Sequence, residues 1–345
     1  MKKIVFIINS LSNKSGTERV ACNLANLFTE YQKIQIVILN RDTNFDNVAY
    51  SLNSNVKVEC FDGNILKFYK GMNNYLNSYD PDYVIIHNMG RLSLLCSFLN
   101  KKNFKIISLE HVAFSIRPFL VRFFSKLCYK NIDTIVSLTC ADKYNYKLWH
   151  KKVVCIPNFS SFPITNKKIS DNKVIISVGR LTFQKNIHAL LDAWEMVYYK
   201  IPDWNLNIYG SGEDFEALQD IIKIKKLKNI KLMGESNNIE KIYQNSSLFI
   251  LSSRFEGFPM VLVEAQAFGL PIISFDCPHG PSEIIQHQKN GLLIRNYDVK
   301  GLADAILELA LDTEKRRSYS SRALKDAKRF EVSSILKLWV ELFED

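Results

Sequence analysis

Short apolar runs rich in Val and Ile recur through the first half of the chain, at Ile4–Ile8, Ile34–Leu39, Tyr83–His87, Ile106–Leu109, Thr134–Leu138 and Val153–Ile156. Between them lie stretches with apolar residues at helical spacing, such as Glu18 to Phe28 after Gly16. The alternation breaks over residues 158–172, a polar segment with one proline that reads NFSSFPITNKKISDN. It restarts at Val174–Val178, Leu206–Tyr209, Ile230–Leu232, Leu248–Leu251 and Pro271–Phe275. Continuously apolar strands alternating with helices fit parallel sheets covered on both faces. The pattern predicts an α/β protein with two Rossmann-like domains, residues 1–160 and 161–330, facing a cleft. In such sheets ligands bind beyond the carboxyl ends of the strands, so the loops after the apolar runs are where chemistry is expected.

Length and composition narrow the class. A chain of 345 residues is too long for one ordinary core and suits two. Hydrophobic content of 47% with 23% charged residues excludes disorder and coiled coil. No apolar run approaches the ~18 residues of a spanning helix. Met1-Lys2-Lys3 before Ile4–Ile8 has the look of a secretion signal, yet polar Asn9, Ser10, Ser12, Asn13 and Lys14 follow without a small-residue cleavage site. A buried first strand is the expectation. Seven scattered cysteines with no CxxC pair indicate neither a disulfide framework nor a zinc site, and fit a reducing cytosol. Residues 1–160 hold 21 Lys and Arg against 11 Asp and Glu, whereas residues 161–345 hold 24 of each. A basic excess confined to one half points to an anionic partner on that domain rather than to nucleic acid.

The candidate chemistry lies at strand ends. Ser15-Gly16 precedes a helix opening at Thr17-Glu18-Arg19, where glycine would let backbone approach an anion at the helix start. Tyr209-Gly210-Ser211-Gly212 occupies the corresponding place in the second domain, and without a third glycine it does not indicate NAD. After Val174–Val178 come Gly179 and Arg180, then Lys185 and Asn186, two cations suited to a diphosphate. Glu256 and Glu264 stand eight apart, the first on a loop with Gly257, Phe258 and Pro259, the second inside a helix from Met260 that ends at Gly269 and Pro271. Backbone N–H groups at Met260 and Val261 would face phosphate oxygens, and the two carboxylates could accept from ribose and sugar hydroxyls. Asp80-Pro81-Asp82 matches a metal-holding DxD pattern but precedes its strand, at the amino end, and is read as a turn.

Taken in order, these motifs resemble the family 4 retaining glycosyltransferases of the GT-B fold over nearly the whole chain. Ser15-Gly16-Thr17-Glu18-Arg19 is similar to the family's Gly-Gly-x-Glu-Arg loop, with serine for the first glycine. Val178-Gly179-Arg180 through Lys185-Asn186, and Glu256 with Glu264 followed by Gly269-Leu270-Pro271, resemble its donor elements. The resemblance implies that Arg180 and Lys185 clasp the donor diphosphate, Glu264 binds ribose and Glu256 the sugar. Gly16, Gly179 and Gly210 would line the donor site, and His111 would contact the sugar near its anomeric end. It further implies retention of configuration, no metal or other cofactor, a nucleotide sugar as donor, and residues 331–345 as a helix packing back on the first domain. Cys277-Pro278-His279-Gly280-Pro281-Ser282-Glu283 resembles members that build bacterial surface polysaccharides, capsule or lipopolysaccharide, from UDP-sugars on glycan or lipid-linked acceptors. A non-catalytic paralogue or a UDP-sugar epimerase of the same fold are the alternatives.

One segment points to a membrane. From Pro118, Phe119, Phe123 and Leu127 recur every four residues beside Leu120 and Phe124, and Arg122, Lys126 and Lys130 form an adjoining basic stripe that Arg117 would extend. Such a helix can lie in the headgroup plane of an anionic bilayer, and the expectation is a cytoplasmic protein held peripherally on the inner face of the cell membrane.

Overall fold

The computed structural model describes residues 2–344 except 14, 33, 42–47, 62, 167 and 168. Lys14, Lys167 and Lys168 of the polar segments noted above therefore lie outside the described residues. The chain divides into two compact units, residues 1–157 and 158–345.

The first unit holds a seven-stranded parallel sheet: β1 (Lys3–Ile8), β2 (Gln35–Asn40), β3 (Lys57–Cys60), β4 (Tyr83–Asn88), β5 (Lys105–Glu110), β6 (Thr134–Ser137) and β7 (Val153–Cys155), in the order 3-2-1-4-5-6-7. Every residue of β4 and of β6 is buried, as expected for strands covered on both faces. The second unit repeats the arrangement with β8 (Val174–Val178), β9 (Asn205–Tyr209), β10 (Ile230–Gly234), β11 (Leu248–Leu251), β12 (Ile272–Asp276) and β13 (Gly291–Arg295), in the order 10-9-8-11-12-13. Its core gathers Trp194, Leu206 and Phe275, all fully buried.

In each sheet the strand order reverses once, between β1 and β4 and between β8 and β11. Crossovers leave opposite faces there, so the loops after those strands diverge and open a crevice. The Asp80–Asp82 turn lies at the opposite edge. Asp80 caps the Ile65–Tyr79 helix in a left-handed conformation, and Asp82 accepts from the backbone N–H of Lys3 at 2.7 Å, at the amino ends of β4 and β1.

Candidate active site

In the second unit the sequence-predicted donor residues converge on the carboxyl ends of β8 and β11. Lys185 Nζ donates to Glu256 Oε1 at 2.7 Å, and Ser253 Oγ donates to the same oxygen at 2.6 Å. The two loops are laced together by backbone: Arg254 N–H donates to Gln184 O at 2.8 Å, and Ser252 Oγ donates to Lys185 O at 3.0 Å. Arg180 is exposed at the mouth of this loop. Gly179 leaves room for the lysine, since a Cβ there would stand 3.1 Å from Lys185 Cε. Gly210, after β9, is pressed on the same loop. Its φ is +135°, and an added Cβ would lie 1.9 Å from Gly179 O.

Helix Met260–Ala267 follows Gly257, Phe258 and Pro259, so the N–H groups of Met260 and Val261 sit in its unsatisfied first turn, a few residues along the chain from Glu256. Glu264, one turn in, is buried and accepts from Tyr243 Oη at 2.9 Å. Phe258 is buried against Phe330, ring centroids 5.7 Å apart. The loop after β12 rests on the Glu256 loop, because a Cβ at Gly280 would come within 2.5 Å of Pro259 Cδ. There the Cys277 thiol is pushed up to about 12 by burial and by the neighbouring Glu256.

In the first unit the loop after β1 leads into helix Gly16–Gln32. Ser15 Oγ donates to the Glu18 carboxylate and Arg19 N–H to Ser15 O at 3.2 Å, so the serine is tied to the first turn of the helix. A Cβ at Gly16 would meet nothing within 4 Å, so nothing in the fold itself requires glycine there. His111, just past β5, stacks on His87 with centroids 5.3 Å apart, and its Nε2 lies 3.1 Å from His87 Nδ1. Burial pushes His111 down to about 3 and, with His111 alongside, His87 well below the usual imidazole range. Both rings are neutral at ordinary pH. The other nitrogen of His87, Nε2, is buried without a partner among the described residues. Burying an unused lone pair costs less than burying an unused N–H, which assigns the proton of His87 to Nδ1 as donor toward His111 Nε2. His111 then carries its own proton on Nδ1, a neutral donor available to a ligand.

The basic helix departs from its sequence reading in two respects. Arg117 does not extend an exposed stripe: it is buried, its guanidinium bonded to Glu110 and, at 2.9 Å, to Val112 O. Glu110 also accepts from Asn88 Nδ2 at 2.8 Å and Ser108 Oγ at 2.5 Å, so this arginine belongs to an internal network. Arg122 is half-buried, leaving Lys126 and Lys130 as the exposed cations. The apolar residues, in contrast, face out. Phe119 is 71% exposed, Phe123 49% and Leu127 51%, with Leu120 and Phe124 similar, while the helix buries Ser125. Among the described residues no helix is long and apolar enough to cross a membrane.

Sequence reasoning missed Ser253, Tyr243 and His87, whose roles are to hold Glu256, Glu264 and His111. Ser253 lies three residues before Glu256 and His87 at the end of a predicted strand, and both positions were readable; Tyr243 comes from a distant helix and was not.

Residues 161–326 match the family model described as glycosyl transferases group 1. Over 99% of both chains the protein is 31% identical to the amylovoran biosynthesis glycosyltransferase AmsD of Erwinia amylovora. It is 25% identical, over 100% of this chain and 99% of the relative, to a Campylobacter jejuni alpha-1,4-N-acetyl-D-galactosaminyltransferase whose name carries a diNAcBac-PP-undecaprenol acceptor. The structure superposes on Staphylococcus aureus TarM, solved as a mutant with fondaparinux, alpha-GlcNAc-glycerol and UDP, with a TM-score of 0.85 over all of both chains at 18% identity. Fold and sequence together define a glycosyltransferase of the GT-B fold. More narrowly, the chain belongs to the group 1 glycosyl transferases.

Proposed function

We propose that the protein transfers a hexosyl or N-acetylhexosaminyl group from a UDP-sugar to a lipid-linked or glycan acceptor during synthesis of a bacterial surface polysaccharide. The observation that carries this reading is the Lys185–Glu256 pair, whose carboxylate lies on the loop leading into the Met260–Ala267 helix, with Arg180 exposed on the loop that bears Lys185. Cations and free N–H groups suit a departing diphosphate, and the carboxylates suit hydroxyls of ribose and sugar. The names of AmsD and of the Campylobacter transferase, and the UDP bound by TarM, support the pathway, acceptor and nucleotide class.

In the reaction the bond from the anomeric carbon to the diphosphate oxygen breaks as the acceptor oxygen bonds to that carbon from the same face. The acceptor proton passes to a phosphate oxygen of the leaving UDP, and configuration is retained. Arg180, Lys185 and the N–H groups of Met260 and Val261 stabilise the charge on the diphosphate, so the positive charge comes from the chain rather than from a divalent ion. His111 donates from Nδ1 to the sugar. The reaction takes place at the inner face of an anionic membrane.

A thermal-shift screen of nucleotide sugars, then incubation with lipid-linked acceptors and NMR of the product, tests the reading. UDP-sugars should stabilise the protein, chelator should leave turnover intact, and the product should keep the donor's anomeric configuration. An inverted linkage would sink the mechanism, and a nucleotide sugar consumed without acceptor would sink the transfer.

A further inference from the structure

Beside the outward-facing helix a cavity of about 510 Å³ opens, bounded by Lys126, Tyr129 and Lys130 on one side and by Trp149, His150 and Lys151 on the other. Its volume falls within the ~300–1,000 Å³ of pockets that hold small ligands. The charge on its wall is one-sided. Among the described residues Lys126, Lys130 and Lys151 pair with no carboxylate. The single acid on the wall, Asp133, is already held by Lys101 Nζ at 2.5 and 2.6 Å and by the Ile106 N–H at 2.6 Å. His150 has both ring nitrogens against carbonyl oxygens, at 3.1 Å from Lys152 O and 2.9 Å from Ile132 O, so it is wall rather than ligand. Trp149 keeps an unspent donor: its Nε1 is buried with no hydrogen-bond partner among the described residues.

Three ammonium groups without a carboxylate partner, an indole N–H and aromatic walls fit a phosphate carried on an organic group. The neighbouring surface selects which phosphate. Leu127 follows Lys126 directly and Phe123 precedes it by three residues, and both are about half exposed. A ligand seated on these lysines has its surroundings made apolar on one side.

We infer that this cavity binds the phosphate of an anionic lipid headgroup, while Phe119, Leu120, Phe123, Phe124 and Leu127 enter the bilayer beside it. The inference rests on the membrane attachment proposed above and adds to it a site with residues of its own. Lys151 and Trp149 lie outside the amphipathic helix, and a helix merely lying on a charged surface would make no use of them.

Full-length protein sedimented with phosphatidylcholine vesicles, with and without phosphatidylglycerol, tests this. The wild type should prefer the anionic vesicles. Lys126→Ala, Lys130→Ala and Lys151→Ala together should remove that preference, about fivefold per cation and roughly a hundredfold in all. Phe119→Ser with Phe123→Ser should weaken binding to both vesicle types. Sedimentation of the triple lysine variant at the wild-type level would overturn the proposal.

A second measurement needs no charge variant. Short-chain phosphatidylglycerol added to wild type should change a fluorescence component that is absent from Trp149→Phe. No change in that component overturns the site, and an equal change on adding inorganic phosphate alone overturns its assignment to lipid. UDP-induced stabilisation, followed in parallel, reports on donor binding separately. If UDP binding fails while the lipid response persists, the UDP-sugar reading proposed above falls and this site stands.

Discussion

Lys185 and Glu256, 71 residues apart, form an ion pair whose carboxylate is further tied to Ser253. The cation expected to meet the donor diphosphate and the acid expected to meet its sugar thus hold each other. On the function proposed above, a donor would not meet a bare lysine; it would join a pair already in place and draw the ammonium toward its phosphate.

Glu256→Ala should therefore act on stability as well as on turnover. It leaves Lys185 largely buried and uncompensated, at about 2 kcal/mol, less than for a fully buried pair because the lysine keeps some contact with water. Urea unfolding with and without UDP checks this. The deficit should shrink when UDP supplies the missing negative charge, and a deficit indifferent to UDP would separate Lys185 from the diphosphate.

Glu264 is oriented by the hydroxyl of Tyr243. Tyr243→Phe should weaken UDP binding by about 1 kcal/mol, and Glu264→Ala by about 1.5–3 kcal/mol, since the latter loses a charged acceptor. Calorimetric titration with UDP separates the two. Equal losses would mean that the tyrosine touches the nucleotide itself.

The histidine pair makes stability depend on pH in a defined direction. Burial lowers the folded value of His111 to about 3, and that of His87 also falls, from an ordinary value of about 6.5. The unfolded chain binds more protons in between, so stability is complete above about pH 6.5 and falls as pH drops toward 3, approaching ~1.4 kcal/mol per pH unit for each ring. Urea midpoints between pH 7 and 5 should fall less steeply in His111→Gln than in wild type; parallel slopes would contradict the assignment.

Gly210→Ala should be among the most damaging single-methyl additions in the chain. The new Cβ would overlap the carbonyl of Gly179, so either β9 or the Gly179–Lys185 loop must move. A lower melting temperature and a loss of UDP-induced stabilisation should appear together, and normal UDP binding by the variant would show the loop to be dispensable.

The last helix, Val332–Glu344, buries Ile335, Leu336, Trp339, Leu342 and Phe343. Trp339→Ala should cost about 3–5 kcal/mol, and truncation after Ser333 more. Unchanged melting of either variant would show that this helix contributes nothing to the fold.

How far the sequence could be read follows from what each element exposes. Strands such as Tyr83–Asn88 are buried on both faces and announce themselves as unbroken apolar runs. Of the strands not anticipated, Lys57-Val58-Glu59-Cys60 has no apolar run at all, whereas Gly291–Arg295 carries Leu292-Leu293-Ile294 and was readable. Glu264 was legible because an acid among Val261, Leu262 and Val263 needs a reason to be there. Arg117 was misread as part of a surface stripe because its partner Glu110, seven residues back at a strand end, carries no local sign of being buried. Spacing along one helix also cannot tell which face looks inward: the Phe119–Cys128 helix turns its serine to the core and its phenylalanines outward.

That inversion bears on handling the protein in solution. With five large apolar side chains presented to water, the isolated chain should self-associate as its concentration rises, and a mild detergent should reverse this. The flanking lysines oppose the association by mutual repulsion, which added salt screens over about 10 Å at 0.1 M. Salt should therefore drive the protein off anionic vesicles and, at the same time, toward its own aggregates.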